Sequence, residues 1–140
     1  MKLNDIMTKE VEVVSPDNSL REAAQKMRVH DIGFLPVIED DRVLGVITDR
    51  DIVVRGVAEG NDADTKIGQK FVTTPAVFCY DDQDVEEAAK LMEDHQIRRM
   101  LVLSRQDERP AGVISLGDIA TRGKEKTSAK VLQSVSEPTN

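Results

Sequence analysis

Apolar residues recur along this chain with two alternating periods, and the whole pattern occurs twice. They fall at Leu20, Ala23, Ala24 and Met27, the i, i+3, i+4, i+7 spacing of one helix face, with Ser19 in front as an N-cap. Residues 34–38 are apolar and strand-like, 39–42 form a tight charged turn, and 43–47 make a second strand; together they predict a β-hairpin. Upstream, 11–14 predicts a short strand, closed by the turn cluster Ser15-Pro16-Asp17-Asn18. Downstream, a helix is expected from about Asp49 through Ile52, Val53 and Val54, ended by Gly56. The second copy predicts a strand at 76–79, a helix at 84–94, strands at 100–103 and 111–115, and a helix at 116–122.

The duplication is visible residue by residue. Ala23-Ala24-x-x-Met27 returns as Ala88-Ala89-x-x-Met92, and the same spacing pairs Thr8 with Thr73, His30 with His95, Ile32 with Ile97 and Val37 with Val102. Beyond that point the second copy carries extra residues around Asp107-Glu108-Arg109-Pro110, which are expected to lengthen its hairpin loop. The organisation read from this is repeat 1 at 3–58, a polar linker at 59–66, repeat 2 at 67–123, and a polar tail at 124–140, frayed or marginally helical. A β-α-β-β-α unit of roughly 50 residues is too small to bury its faces alone. The expected fold is therefore α/β (α+β), with two pseudo-symmetric repeats packed sheet to sheet as one module. The alanine-lined helix faces are suited to a second chain, so a homodimer is expected.

Composition narrows the function classes. With 39% hydrophobic and 32% charged residues over 140 positions, a folded soluble chain is expected. Aromatics are 3% with no Trp, so the core must come from Val, Ile, Leu, Met and Ala. A net charge of −7 argues against a dedicated nucleic-acid partner. No apolar run approaches the roughly 18 residues of a membrane span. The single cysteine, Cys79, excludes an internal disulfide, points to the cytoplasm, and reads as a buried, inert thiol. No Gly-x-Ser-x-Gly, P-loop or zinc-ligand set is present, so no enzyme is expected. His30 and His95 read as cap or surface residues, with metal binding an outside alternative and no metal site expected.

The most informative stretch is Gly45-Val46-Ile47-Thr48-Asp49-Arg50-Asp51, echoed by Gly112-Val113-Ile114-Ser115-Leu116-Gly117-Asp118. Thr48-x-x-Asp51 and Ser115-x-x-Asp118 can each be a capping box that satisfies orphan backbone N–H groups. Both acids are Asp, whereas a capping box favours Glu or Gln, and both corners follow a strand and open a helix. That is a common seat for ribose and phosphate: the carboxylate accepts ribose hydroxyls while the Thr or Ser hydroxyl and free amides face the first phosphate. Capping and ligand binding both stand.

These motifs, with Asp5-Ile6-Met7-Thr8, Ser15-Pro16-Asp17-x-Ser19-Leu20 and Ile32-Gly33-Phe34-Leu35-Pro36-Val37, resemble a tandem pair of CBS domains, the regulatory unit called a Bateman module. The resemblance covers residues 3–123 and is closest to stand-alone two-repeat bacterial members. It implies a non-catalytic sensor that binds an adenosine nucleotide (AMP, ADP, ATP or NAD) in the cleft between repeats and acts on an unidentified protein effector. It assigns ligand contacts to Thr48, Asp51, Ser115 and Asp118, and adds Thr8, Thr73, Ile32 and Ile97 to the set. Arg98 and Arg99 stand where family members often place basic residues facing phosphates, and guanidinium groups match phosphate oxygens bidentately. Copy one has Gly33-Phe34 there, so unequal sites are expected, with Arg50 or Arg122 as a helper; Leu101 replaces the proline expected from Pro36. The rival expectation is a stress-related dimeric interaction protein that binds no nucleotide.

Overall fold

The structure is a computed structural model that describes residues 1–73 and 77–122. The chain divides into two compact units, Glu12–Ala76 and Met1–Val11 with Val77–Asn140. The anticipated tail at 124–140 lies outside the described residues.

In the Glu12–Ala76 unit, helix α1 spans Leu20–His30. The Ser19 hydroxyl accepts from the Glu22 amide at 3.0 Å, and the Glu22 carboxylate accepts from the Ser19 amide at 3.0 Å, a reciprocal capping box. The Ser19 amide, foremost, holds the Glu22 carboxyl below its usual range. Asp31 ends the helix in the left-handed conformation, φ 53°. Strands β1 (Phe34–Glu39) and β2 (Arg42–Thr48) pair antiparallel, with a bulge at Val37/Ile38. Asp40 and Asp41, at φ 51° and 63°, make the two-residue turn whose twist suits a hairpin. Leu20, Ala23, Met27, Leu35, Val37, Ile47, Ile67, Phe71 and Val72 close the core with Val14.

Four expectations change here. The strand at 11–14 reduces to one parallel bridge, Val14 with Val37, because only Val14 is buried and Pro36, with no N–H, cannot extend the ladder towards Glu12. Ala24, despite its helical spacing, stays exposed. The helix after β2 is mostly π-helix, Asp51–Val57, with the Ala58 amide bonding the Val53 carbonyl at 2.9 Å. Gly56 does not end it: it lies inside and is buried, and an added Cβ would stand 3.1 Å from Leu20 Cδ1. The polar linker is bound along the start of α1, where the Leu20 and Arg21 amides donate to the Thr65 and Ala63 carbonyls at 3.0 and 2.9 Å. Those are helix-start amides with no partner within the helix itself.

The other unit holds β3 (Phe78–Tyr80), α2 (Val85–His95), β4 (Arg99–Leu103), β5 (Pro110–Ser115) and α3 (Leu116–Arg122). The sheet order is β3-β4-β5, with β3 parallel and β5 antiparallel to β4. Relative to the predicted 76–79, β3 is shifted to Phe78–Tyr80, and Ala76 lies outside the described residues. The Ser104 amide bonds the Arg109 carbonyl at 2.8 Å, closing the longer hairpin loop where the extra residues fall. The N-terminal segment belongs to this unit: the Leu3 amide bonds Gln83 and Thr8 pairs with Val113. Leu3, Ile6 and Met7 are buried in its core with Cys79, Val85, Ala88, Ala89, Met92, Met100, Val102, Ile114 and Ile119.

Candidate functional site

Two strand-to-helix corners carry the candidate chemistry, one in each unit. At the first, Thr48 ends β2. Its amide and its hydroxyl both donate to Asp51 Oδ2 at 2.9 Å, and the Asp51 amide donates back to the Thr48 hydroxyl at 3.1 Å. At the second, Ser115 ends β5. Its amide donates to Asp118 Oδ2 at 3.0 Å, and the Asp118 amide donates to the Ser115 hydroxyl at 3.0 Å. Each corner is thus a capping box in fact, because a short Asp three residues on still reaches the amide before it.

The surroundings of the two carboxylates differ. Asp51 is 8% exposed and the only buried charged residue among those described. The Thr73 hydroxyl lies 3.2 Å from its Oδ2 and 3.4 Å from its Oδ1, and Arg55 Nη1 lies 3.6 Å from Oδ1. Arg55 is held in turn by a hydrogen bond to the Lys70 carbonyl. Asp118 is half-buried, and its Oδ1 has no partner among the described residues. The counterparts of Thr73 and Arg55 go elsewhere. Thr8 pairs through its backbone with Val113 and its hydroxyl makes no hydrogen bond among the described residues, while Arg122 Nη1 reaches the Ile6 carbonyl at 3.4 Å.

The ten residues expected at ligand sites therefore fall into two sets that cross the sequence repeats. Thr48, Asp51 and Ile32 are joined by Thr73, which comes from the second copy; Ser115, Asp118, Arg98, Arg99 and Ile97 are joined by Thr8, from the first. The physical cause is β-bridging: Thr73 pairs with Val46 on β2, and Thr8 with Val113 on β5. Ile32 and Ile97 are half-buried against their respective cores.

Charge separates the corners further. Arg99 opens β4 directly across from Ser115, and the Arg98 carbonyl accepts the Leu116 amide at 2.9 Å, so both arginines flank the second corner. Both are exposed, with no ion pair among the described residues. In the first corner the matching bond runs from the Asp49 amide to the Gly33 carbonyl at 2.9 Å, and Phe34 pairs with Thr48. The Asp49 carboxylate lies against Gly33: a Cβ there would sit 3.1 Å from Oδ2. The first corner thus carries an acid against Gly33 where the backbone of the second is flanked by Arg98 and Arg99. Leu101 and Pro36, at matching positions, are both buried.

The remaining candidates stand apart. His30 Nε2 is 3.0 Å from Glu12 Oε1, and His95 lies exposed at the end of α2. Burial pushes the Cys79 thiol up to about 11, helped by the Glu87 charge. Sequence reasoning missed the part played by Arg55, whose i, i+4 spacing from Asp51 was the available signal.

A CBS-domain model matches residues 3–56 and 67–125. The CBS domain-containing protein YhcV of Bacillus subtilis strain 168 is 35% identical over 91% of this chain and 89% of its own. Hypoxic response protein 1 of Mycobacterium tuberculosis is 36% identical over 96% and 93%. Among solved structures, hypoxic response protein I with two coordinated zinc ions superposes with a TM-score of 0.77 at 37% identity, covering 87% of this chain and 98% of that one.

Proposed function

The chain belongs to the CBS-domain family, and from that premise we propose that it is a non-catalytic sensor of adenosine nucleotides, bound at the Ser115–Asp118 corner. The observation that carries this reading is Asp118 Oδ1, which has no partner among the described residues, at a corner flanked by Arg98 and Arg99, which make no ion pair among them. Asp118 accepts the ribose hydroxyls, the Ser115 hydroxyl and Thr8 face the first phosphate, and Arg98 and Arg99 bind the phosphate chain. Ile97 supplies apolar contact to the base. A charged hydrogen bond of this kind contributes about 1.5–3 kcal/mol. Occupancy reaches an effector by linkage, through differential affinity for two arrangements of the protein. Calorimetric titration with AMP, ADP, ATP and NAD tests it: heats of binding are expected for at least one, and none at millimolar ligand defeats the reading.

A second reading, a dimeric interaction protein, is favoured by Val53, Val54 and Val57 on the π-helix, which are 58%, 44% and 65% exposed. It expects Val53→Asp/Val57→Asp to turn a dimer into a monomer in light scattering, with nucleotide heats absent. Among the described residues no three His, Cys, Asp or Glu side chains are grouped to hold a metal, and the only thiol is buried and protonated at neutral pH.

A further inference from the structure

We infer that the chain takes one nucleotide, not two, because the first corner is closed by its own side chains; the inference rests on the nucleotide reading above. Two features of the Thr48–Asp51 corner, and one contrast with the second corner, point the same way. Its carboxylate is buried, with Oδ2 taken by the Thr48 amide and the Thr48 and Thr73 hydroxyls and Oδ1 paired with Arg55 at 3.6 Å. A ribose hydroxyl would have to displace donors already held in place, exchanging one hydrogen bond for another with no net gain. The Asp49 carboxylate against Gly33 meets an incoming phosphate with like charge. The counterpart groups of the second corner, Thr8 and Arg122, leave Asp118 alone.

Thr73 and Arg55 therefore act as a latch. They convert a repeat of the clamp into a structural joint, tying Thr73 to the start of the π-helix. The asymmetry arises from the chain itself, since Arg55 and Arg122 are the same residue type at matching positions but reach different acceptors, Asp51 in one unit and the Ile6 carbonyl in the other.

The test is the stoichiometry of ATP binding to the full-length protein, measured by calorimetry and equilibrium dialysis. One ATP per chain is expected. Asp118→Asn should weaken it at least tenfold, while Thr73→Val and Asp51→Asn leave the affinity within about twofold and lower Tm. Thr73→Val keeps the Thr48 capping box, so it remains informative if Asp51→Asn fails to fold. Two ATP per chain, or a tenfold loss of affinity on Thr73→Val, overturns the latch and leaves the sensor reading standing. No binding by the unmodified protein defeats the sensor reading and the latch with it.

Discussion

Gly112→Ala isolates what holds the N-terminal segment to β5. A Cβ at this position would stand 2.7 Å from the Thr8 carbonyl oxygen, 2.7 Å from Met7 Sδ and 2.9 Å from Met7 Cγ. Comfortable carbon contacts begin near ~3.5 Å, so something must shift by the order of half an ångström or more. Met7 is a flexible side chain and can yield at small cost. The Thr8 carbonyl cannot, because it accepts the Val113 amide at 2.9 Å while the Thr8 amide donates back at 3.0 Å. Forced accommodation of this kind costs about 1–3 kcal/mol. The ceiling is detachment of the segment, which would expose Leu3, Ile6 and Met7 at about 1.5–3 kcal/mol each. The lower range is expected, since strain is cheaper than losing three buried side chains. Urea unfolding should show the loss in its midpoint, and hydrogen exchange at the Thr8 and Val113 amides should accelerate. Gly117→Ala is the matched control: its Cβ would meet only Ser115 Oγ at 3.6 Å, an ordinary contact. On α3 it should be neutral or stabilising by up to ~1 kcal/mol. Equal midpoints for the two variants, with exchange unchanged, would refute this account of the joint.

Other expectations are as direct. Asp118→Ala should weaken nucleotide binding about tenfold to a hundredfold, read by calorimetry, and lower Tm less than Asp51→Ala does, since only the Ser115 amide loses its acceptor. Asp51→Ala should do the reverse, removing about 1.5–3 kcal/mol of stability by leaving the Thr48 amide and Thr73 hydroxyl without their acceptor; an unchanged unfolding midpoint contradicts the latch. Arg98→Ala/Arg99→Ala should weaken ATP more than adenosine, and equal losses in a competition titration remove the phosphate role of that pair. Cys79 should resist thiol reagents at pH 8 until the protein unfolds. Its folded pKa, about 11, lies above the unfolded value near 9. The native state therefore holds the proton more tightly, and this contribution is complete below pH 9 and lost as pH rises through 11. Cys79→Ala should remove that slope in a pH series of chemical denaturation.

Much of the architecture was legible in the residues because it is local. The i, i+3, i+4, i+7 spacing from Leu20, the Ser19–Glu22 box and the Asp40-Asp41 turn each specify their element from neighbours a few positions away, and β2, β4, β5 and α3 fall within a residue of expectation. The duplication likewise fixed that two strand-to-helix corners exist, and the Thr/Ser-x-x-Asp spacing fixed that each is capped. Where a single bridge replaced a strand at Val14, the limit came from the partner strand, in which Pro36 has no N–H to extend the ladder. Only the tertiary structure decided how the corners differ. Sequence symmetry assigns Thr8 to the first copy and Thr73 to the second, but β-bridging brings each to the other copy's corner. Whether a hydroxyl or guanidinium then reaches the carboxylate depends on ångström-scale distances that repeat spacing does not encode. Thr73 and Arg55 reach Asp51; Arg122 bonds the Ile6 carbonyl, Thr8 pairs only through its backbone, and one oxygen of Asp118 has no partner among the described residues.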